Sequence, residues 1–179
     1  SRPFRVLVAG GGTGDASTGL GKQMQDRGIE GEVVYLDLSA ASRAVAEERA
    51  HHQGLNNVSF HTGSLLDVAS MGLGTFDYIN CSGVLHHLAC PEDGVRALAS
   101  VLAPGGAVGI MVYGELGRIG VYHAQDMLRM LCGTEELATQ VDLAKRVLPA
   151  LPHSNWLKKN AEQTFTAELD DVEIVDRFL

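Results

Sequence analysis

Short, almost unbroken apolar runs alternate with helical stretches as far as Gly114, and this alternation most narrows the fold. "FRVLVAG" reads as a buried strand, and "STGLGKQMQDRG" as a helix stopped at Gly28. "GEVVYLDLS" is a second strand, and "SAASRAVAEERAHHQG" a helix with Ser39 placed to cap it and Gly54 to end it. "NVSFHTG", "TFDYINCSG" and "AVGIMVYG" read as three more strands. Between them come the short turn "LLDVASMG", the helix "PEDGVRALASVL" opened by Pro91, and "APGG" as that helix's end. Parallel strands need crossover helices, and strands covered on both faces read as continuous apolar runs. The expected architecture is therefore an α/β fold with a doubly wound, mainly parallel sheet.

After Gly114 the pattern becomes helical. "LGRIGVYHAQDMLRMLCG", "TEELATQVDLAKRVLPALP" and "SNWLKKNAEQTFTAELDDVEIVDRFL" predict two or three helices without another strand. The division expected is a sheet core over 1–114 and a helical extension over 115–179, serving as substrate pocket, lid or oligomer surface, both within one domain. A sheet stopping at five strands, an apolar end at "VDRFL" and a start at "SRPFRV" without Met together predict a piece of a longer or processed chain.

The formal charge of −8 sets the surface against phosphate backbones and anionic lipid, so no nucleic-acid or membrane partner is expected. No apolar run approaches the roughly 18 residues of a membrane span. Cys81, Cys90 and Cys132 are odd in number and lack C-x-x-C spacing, which speaks for a reducing, cytoplasmic setting without disulfides or zinc.

The stretch "VLVAGGGTGDAS" places four glycines in the five residues Gly10 to Gly14. In a doubly wound sheet this is the loop beyond the first strand, where ligands bind and bulk would obstruct them. A phosphate loop, G-x-x-x-x-G-K-[ST], fails at Gly21-Lys22, because Ala16 replaces its first glycine and Gln23 its hydroxyl. A dinucleotide G-x-G-x-x-G places Asp15, an anion, against a pyrophosphate. What remains is G-x-G-x-G from Gly10, Gly12 and Gly14, with Asp37 at the second strand's end, 23 residues after Gly14. A carboxylate there suits the paired hydroxyls of a ribose.

With these motifs in order, the stretch from Val6 to Gly114 resembles the class I S-adenosylmethionine-dependent methyltransferases. "VLVAGGGTG" resembles their first motif, "VVYLDLS" the ribose-binding acid, and "FHTGSLLDV" the adenine-contacting turn. "FDYINCSGVLHHL" resembles the fourth-strand motif, and "VLAPGGAVGI" the approach to strand five. The resemblance implies a Rossmann-like sheet and S-adenosyl-L-methionine as cofactor. It assigns that cofactor to Gly10, Gly12, Gly14, Asp37, Leu38, Ser64, Leu65, Cys81 and Ser82. The "GVLHHL" form resembles the small-molecule branch, and the "NPPY" signature of amino methylation is absent. Two positions depart from the family: Val8 stands where many relatives carry an acid, and Ser64 follows Gly63 where Asp is frequent. Asp67 either takes that Asp's role or caps the short helix, and Asp at a helix start favours the cap.

Methyl transfer from a sulfonium needs a positioned acceptor in a dry pocket, and a base only where the acceptor arrives protonated. His86 and His87, just after strand four, are the candidate bases, against the plain alternative of packing and solvation. Adjacent histidines diverge, so no metal is expected. Tyr113, Tyr122 and His123 lie in the segment where such enzymes build the acceptor's side. The expected function is methyl transfer to a small molecule, with a noncatalytic cofactor- or partner-binding domain as the alternative and a homodimer left open.

Overall fold

Five strands form one parallel sheet in the order β3-β2-β1-β4-β5. They are β1 (Phe4–Ala9), β2 (Gly31–Asp37), β3 (Val58–Thr62), β4 (Phe76–Ser82) and β5 (Leu102–Met111). This computed structural model describes residues 2–159 and 170–179. Part of the last stretch expected to be helical, 160–169, lies outside the described residues. The chain divides into two compact units, Ser1–Val112 and Tyr113–Leu179.

In the first unit, helices α1 (Asp15–Asp26), α2 (Ala40–His52) and α3 (Pro91–Ser100) make the crossovers. The sequence signals act where expected. Ser39 Oγ accepts from the Ser42 amide at 3.1 Å, Pro91 opens α3, and Gly28 and Gly54 turn the chain with positive φ. Side chains alternate across each strand. Leu7, Leu36, Ile79 and Cys81 join Leu85 and Leu98 in the larger core, while Val6, Val8 and Val33 join Met24 of α1 in a second. These layers on opposite sheet faces account for the unbroken apolar strands.

Two details differ from the expectation. "APGG" does not end α3 outside the sheet: β5 begins at Leu102, and the register jumps so that Phe76 opposes Leu102 but Tyr78 opposes Ala107. Gly105, at φ 79°, turns within the extra residues and allows pairing on both sides. The short turn Leu65–Asp67 is capped by Ser64, not Asp67, because Ser64 Oγ accepts from the Leu66 amide at 3.1 Å.

The second unit consists of α4 (Ile119–Cys132), α5 (Leu137–Ala150), α6 (Trp156–Lys159) and α7 (Asp171–Phe178) among the described residues. Val121, Leu128, Ala144, Leu148, Leu157 and Phe178 form its core. No helix of the described residues is long and apolar enough to cross a membrane.

Candidate active site

The glycine loop hangs from the tip of β2. Gly10 and Gly11 amides both donate to the Leu36 carbonyl, at 2.8 and 3.1 Å. The Gly12 amide donates to Asp37 Oδ2 at 2.8 Å, and its carbonyl accepts from the Tyr35 hydroxyl at 2.7 Å. Asp37 Oδ1 accepts from the Ser39 amide at 2.8 Å. Both carboxylate oxygens are thus oriented by backbone, and each retains acceptor capacity for a ligand.

Gly10 and Gly14 show why side chains are excluded from the loop. Each has positive φ, 74° and 97°. A Cβ on Gly10 would overlap the Val84 side chain, and one on Gly14 would approach Ala46 Cβ to 2.7 Å. Gly14 also caps α1, its carbonyl accepting from Ser17 Oγ at 3.0 Å and Thr18 Oγ1 at 2.8 Å, both side chains being buried. Asp15 pairs with Arg49 of α2, and Arg49 Nη1 donates to the Thr13 carbonyl at 2.9 Å.

Beyond the strand tips lies a cavity of about 320 Å³, within the range of small-molecule sites. Gly10, Asp37 and Leu38 line it from the β1 and β2 ends, and Ser64 and Leu65 from the turn after β3. Val84, His87 and Leu88 close it from the turn after β4. Leu38 is 71% exposed, an apolar side chain at the cavity rather than in the core.

The structure therefore brings Gly10, Asp37, Leu38, Ser64, Leu65 and His87 to one cavity, with Gly12 and Gly14 shaping the loop above it. Cys81 is fully buried in the larger core, its thiol pushed up to about 11 by that burial, and Ser82 is exposed at the end of β4. Neither lines the cavity. His86 is half-buried, with its ring 4.2 Å from that of His87. Tyr113, Tyr122 and His123 belong to the second unit, where the Arg118 guanidinium lies 3.7 Å over the Tyr113 ring. Among the described residues no three His, Cys, Asp or Glu side chains group as metal ligands. Val84, Leu88 and Tyr35 escaped sequence reasoning. Tyr35 carries a usable signal, since it precedes Asp37 by two positions and shares its strand face.

A family model described as a methyltransferase domain matches residues 7–108, and the chain belongs to that family, with the class I fold whose cofactor is S-adenosylmethionine. An uncharacterized protein of Synechococcus sp. is 38% identical over 167 residues, covering 92% of this chain and 39% of that one. The tRNA 5-carboxymethoxyuridine methyltransferase of Escherichia coli is 36% identical over 115 residues, 64% of this chain and 42% of the enzyme. PKMT2 from Rickettsia typhi in complex with AdoHcy shares the fold, with a TM-score of 0.71 at 21% identity over 98% of this chain and 35% of that one. A SAM dependent methyltransferase from Aquifex aeolicus has a TM-score of 0.52 at 26% identity over 60% of this chain and 55% of that one. The chain spans about two fifths of the length of the curated relatives it matches.

Proposed function

We propose that this chain transfers the methyl group of S-adenosylmethionine to a small-molecule acceptor. The observation that carries the reading is the Asp37 carboxylate, held by the Gly12 and Ser39 amides and presented at the cavity beside the glycine loop. The residues suit the cofactor: a carboxylate for vicinal hydroxyls, apolar walls at Leu38 and Leu65 for a flat base, and a loop whose one side chain is Thr13. Bound there, the cofactor supplies an activated methyl on a sulfonium sulfur. Asp37, Leu38, Ser64 and Leu65 would hold it, and on transfer to an acceptor the sulfur would keep the bonding electrons.

The chain's task is to position the reactants and exclude water. Where the acceptor carries a proton, His87 at the cavity wall is the base that takes it, with the His86 ring packed beside it. Ser64 serves the base end as a hydroxyl, and backbone groups near Cys81 and Ser82 serve the methionine end. The likeness to a tRNA-modifying enzyme raises RNA as a second acceptor class, and the charge of −8 weighs against it. The free thiols Cys81, Cys90 and Cys132 suit a reducing, cytoplasmic setting.

Calorimetric titration with S-adenosylhomocysteine, followed by incubation with methyl-labelled cofactor and fractionated extract, tests the reading. Binding and label in the low-molecular-weight fraction are expected. Label confined to RNA or protein overturns the acceptor class, and absence of binding overturns the cofactor site.

A further inference from the structure

We propose that Tyr35 is a positioning residue that locks the glycine loop in its cofactor-receiving shape, the bond from its hydroxyl to the Gly12 carbonyl forming one half of a clamp whose other half is Asp37. The inference rests on the reading of the loop as the cofactor's seat. Tyr35 and Asp37 stand two residues apart on β2, so their side chains leave the same face of the sheet. One takes the carbonyl of Gly12 at 2.7 Å and the other its amide at 2.8 Å, so a single strand fixes the peptide groups on both sides of that glycine. Gly12 has φ 51° and nothing within 4 Å of where its Cβ would be, so packing does not hold it. The polar clamp does.

The ring contributes as well. A Cβ on Gly11 would overlap the Tyr35 ring at Cδ2 and Cε2, so the loop lies against that side of the ring. Tyr35 is fully buried and packs against Phe60 with ring centroids 5.3 Å apart, which fixes where the hydroxyl can be. Its register partner on β1 is Val8, whose apolar side chain offers the loop no hydrogen bond. The tyrosine thus supplies from strand two the polar tie that strand one lacks at this level. Burial first, and the Asp37 charge next, push the Tyr35 phenol up to about 12, so it remains a protonated donor throughout the neutral range. Arg43 opposes and Glu47 adds to that effect.

Tyr35→Phe removes the hydroxyl and keeps the ring. One net hydrogen bond corresponds to roughly a fivefold to tenfold change in an equilibrium. S-adenosylhomocysteine is therefore expected to bind Tyr35→Phe about fivefold to tenfold more weakly, with faster hydrogen exchange at the Gly12 amide and unchanged exchange in β5. A purely structural role would lower the melting temperature of the free protein and leave affinity alone, and that result overturns the proposal. A fluorinated tyrosine incorporated at position 35 keeps shape and packing while making the phenol more acidic. Its affinity for S-adenosylhomocysteine is expected to fall as pH rises through the phenol's ionisation, while the natural protein stays flat; equal profiles overturn the proposal, and they do so even if the phenylalanine variant fails to fold. If the natural protein binds and both variants match it, the anchor fails and the cofactor site stands. If the natural protein does not bind, both fall.

Discussion

The Gly12 amide donates to Asp37 Oδ2 at 2.8 Å, so the residue proposed to bind the ribose also ties down the glycine loop proposed to seat the cofactor. Asp37→Ala removes the ligand's acceptor and leaves the Gly12 and Ser39 amides without their partner. Losing two charge-assisted bonds predicts an affinity for S-adenosylhomocysteine weaker by roughly 100-fold. The orphaned amides predict a loss of about 1–2 kcal/mol in the free protein. Calorimetry and urea unfolding measure the two effects separately. Asp37→Asn, which keeps one carbonyl oxygen, is expected to fall between the natural protein and the alanine variant in both.

The sheet was legible because β1 and β2 each hold a run of four buried residues and its turns carry capping residues, as at Ser39 and Pro91. The start of β5 was not, because Pro104-Gly105-Gly106 has the composition of a helix stop yet forms an irregularity inside a paired strand. The placement of Gly10 and Asp37 at one cavity was legible from spacing, with Gly12 and Gly14 in the loop beside it. Tyr35 looks like one more strand aromatic, and only the structure shows its hydroxyl emerging at Gly12. The Ser64 cap was hidden by the competing Asp67, a residue type equally suited to a cap but placed one turn too late.

Val84 and Gly10 define a steric lock between the loop after β1 and the turn after β4. Gly10→Ala combines a positive φ with overlap onto the Val84 methyls. The backbone part costs about 1 kcal/mol, and the overlap adds about 1–3 kcal/mol. Val84→Ala in the same chain is expected to recover most of the overlap and none of the backbone cost. Chemical unfolding of the two single variants and the double variant measures the coupling; strict additivity would show that the two residues do not press on each other.

Cys81 predicts an alkaline weakness. Burial opposes the thiolate and pushes the Cys81 thiol up from its ordinary 9.0 to about 11. The folded state therefore retains a proton that the unfolded state gives up. This contribution is fully present below pH 9, declines as pH rises above it, and is lost once pH passes about 11. Urea midpoints measured from pH 8 to 11 are expected to fall more steeply for the natural protein than for Cys81→Ala. In the native protein at pH 8 a thiol reagent should leave Cys81 unmodified, and rapid labelling there would contradict its burial.

His87 lines the cavity and His86 does not, although the two rings lie 4.2 Å apart. If His87 takes a proton from the acceptor, His87→Ala lowers methyl transfer by about 10²-fold or more, the usual share of a general base. The affinity for S-adenosylhomocysteine should stay within about threefold, because a base acts on the acceptor and not on the cofactor. His86→Ala removes the packed neighbour and leaves the base in place, so its loss of transfer should be smaller by at least about tenfold. Single-turnover transfer from labelled cofactor, paired with calorimetry on the same variants, separates the two histidines. Equal losses in both would assign the pair to packing and leave the acceptor's proton to another group or to solvent.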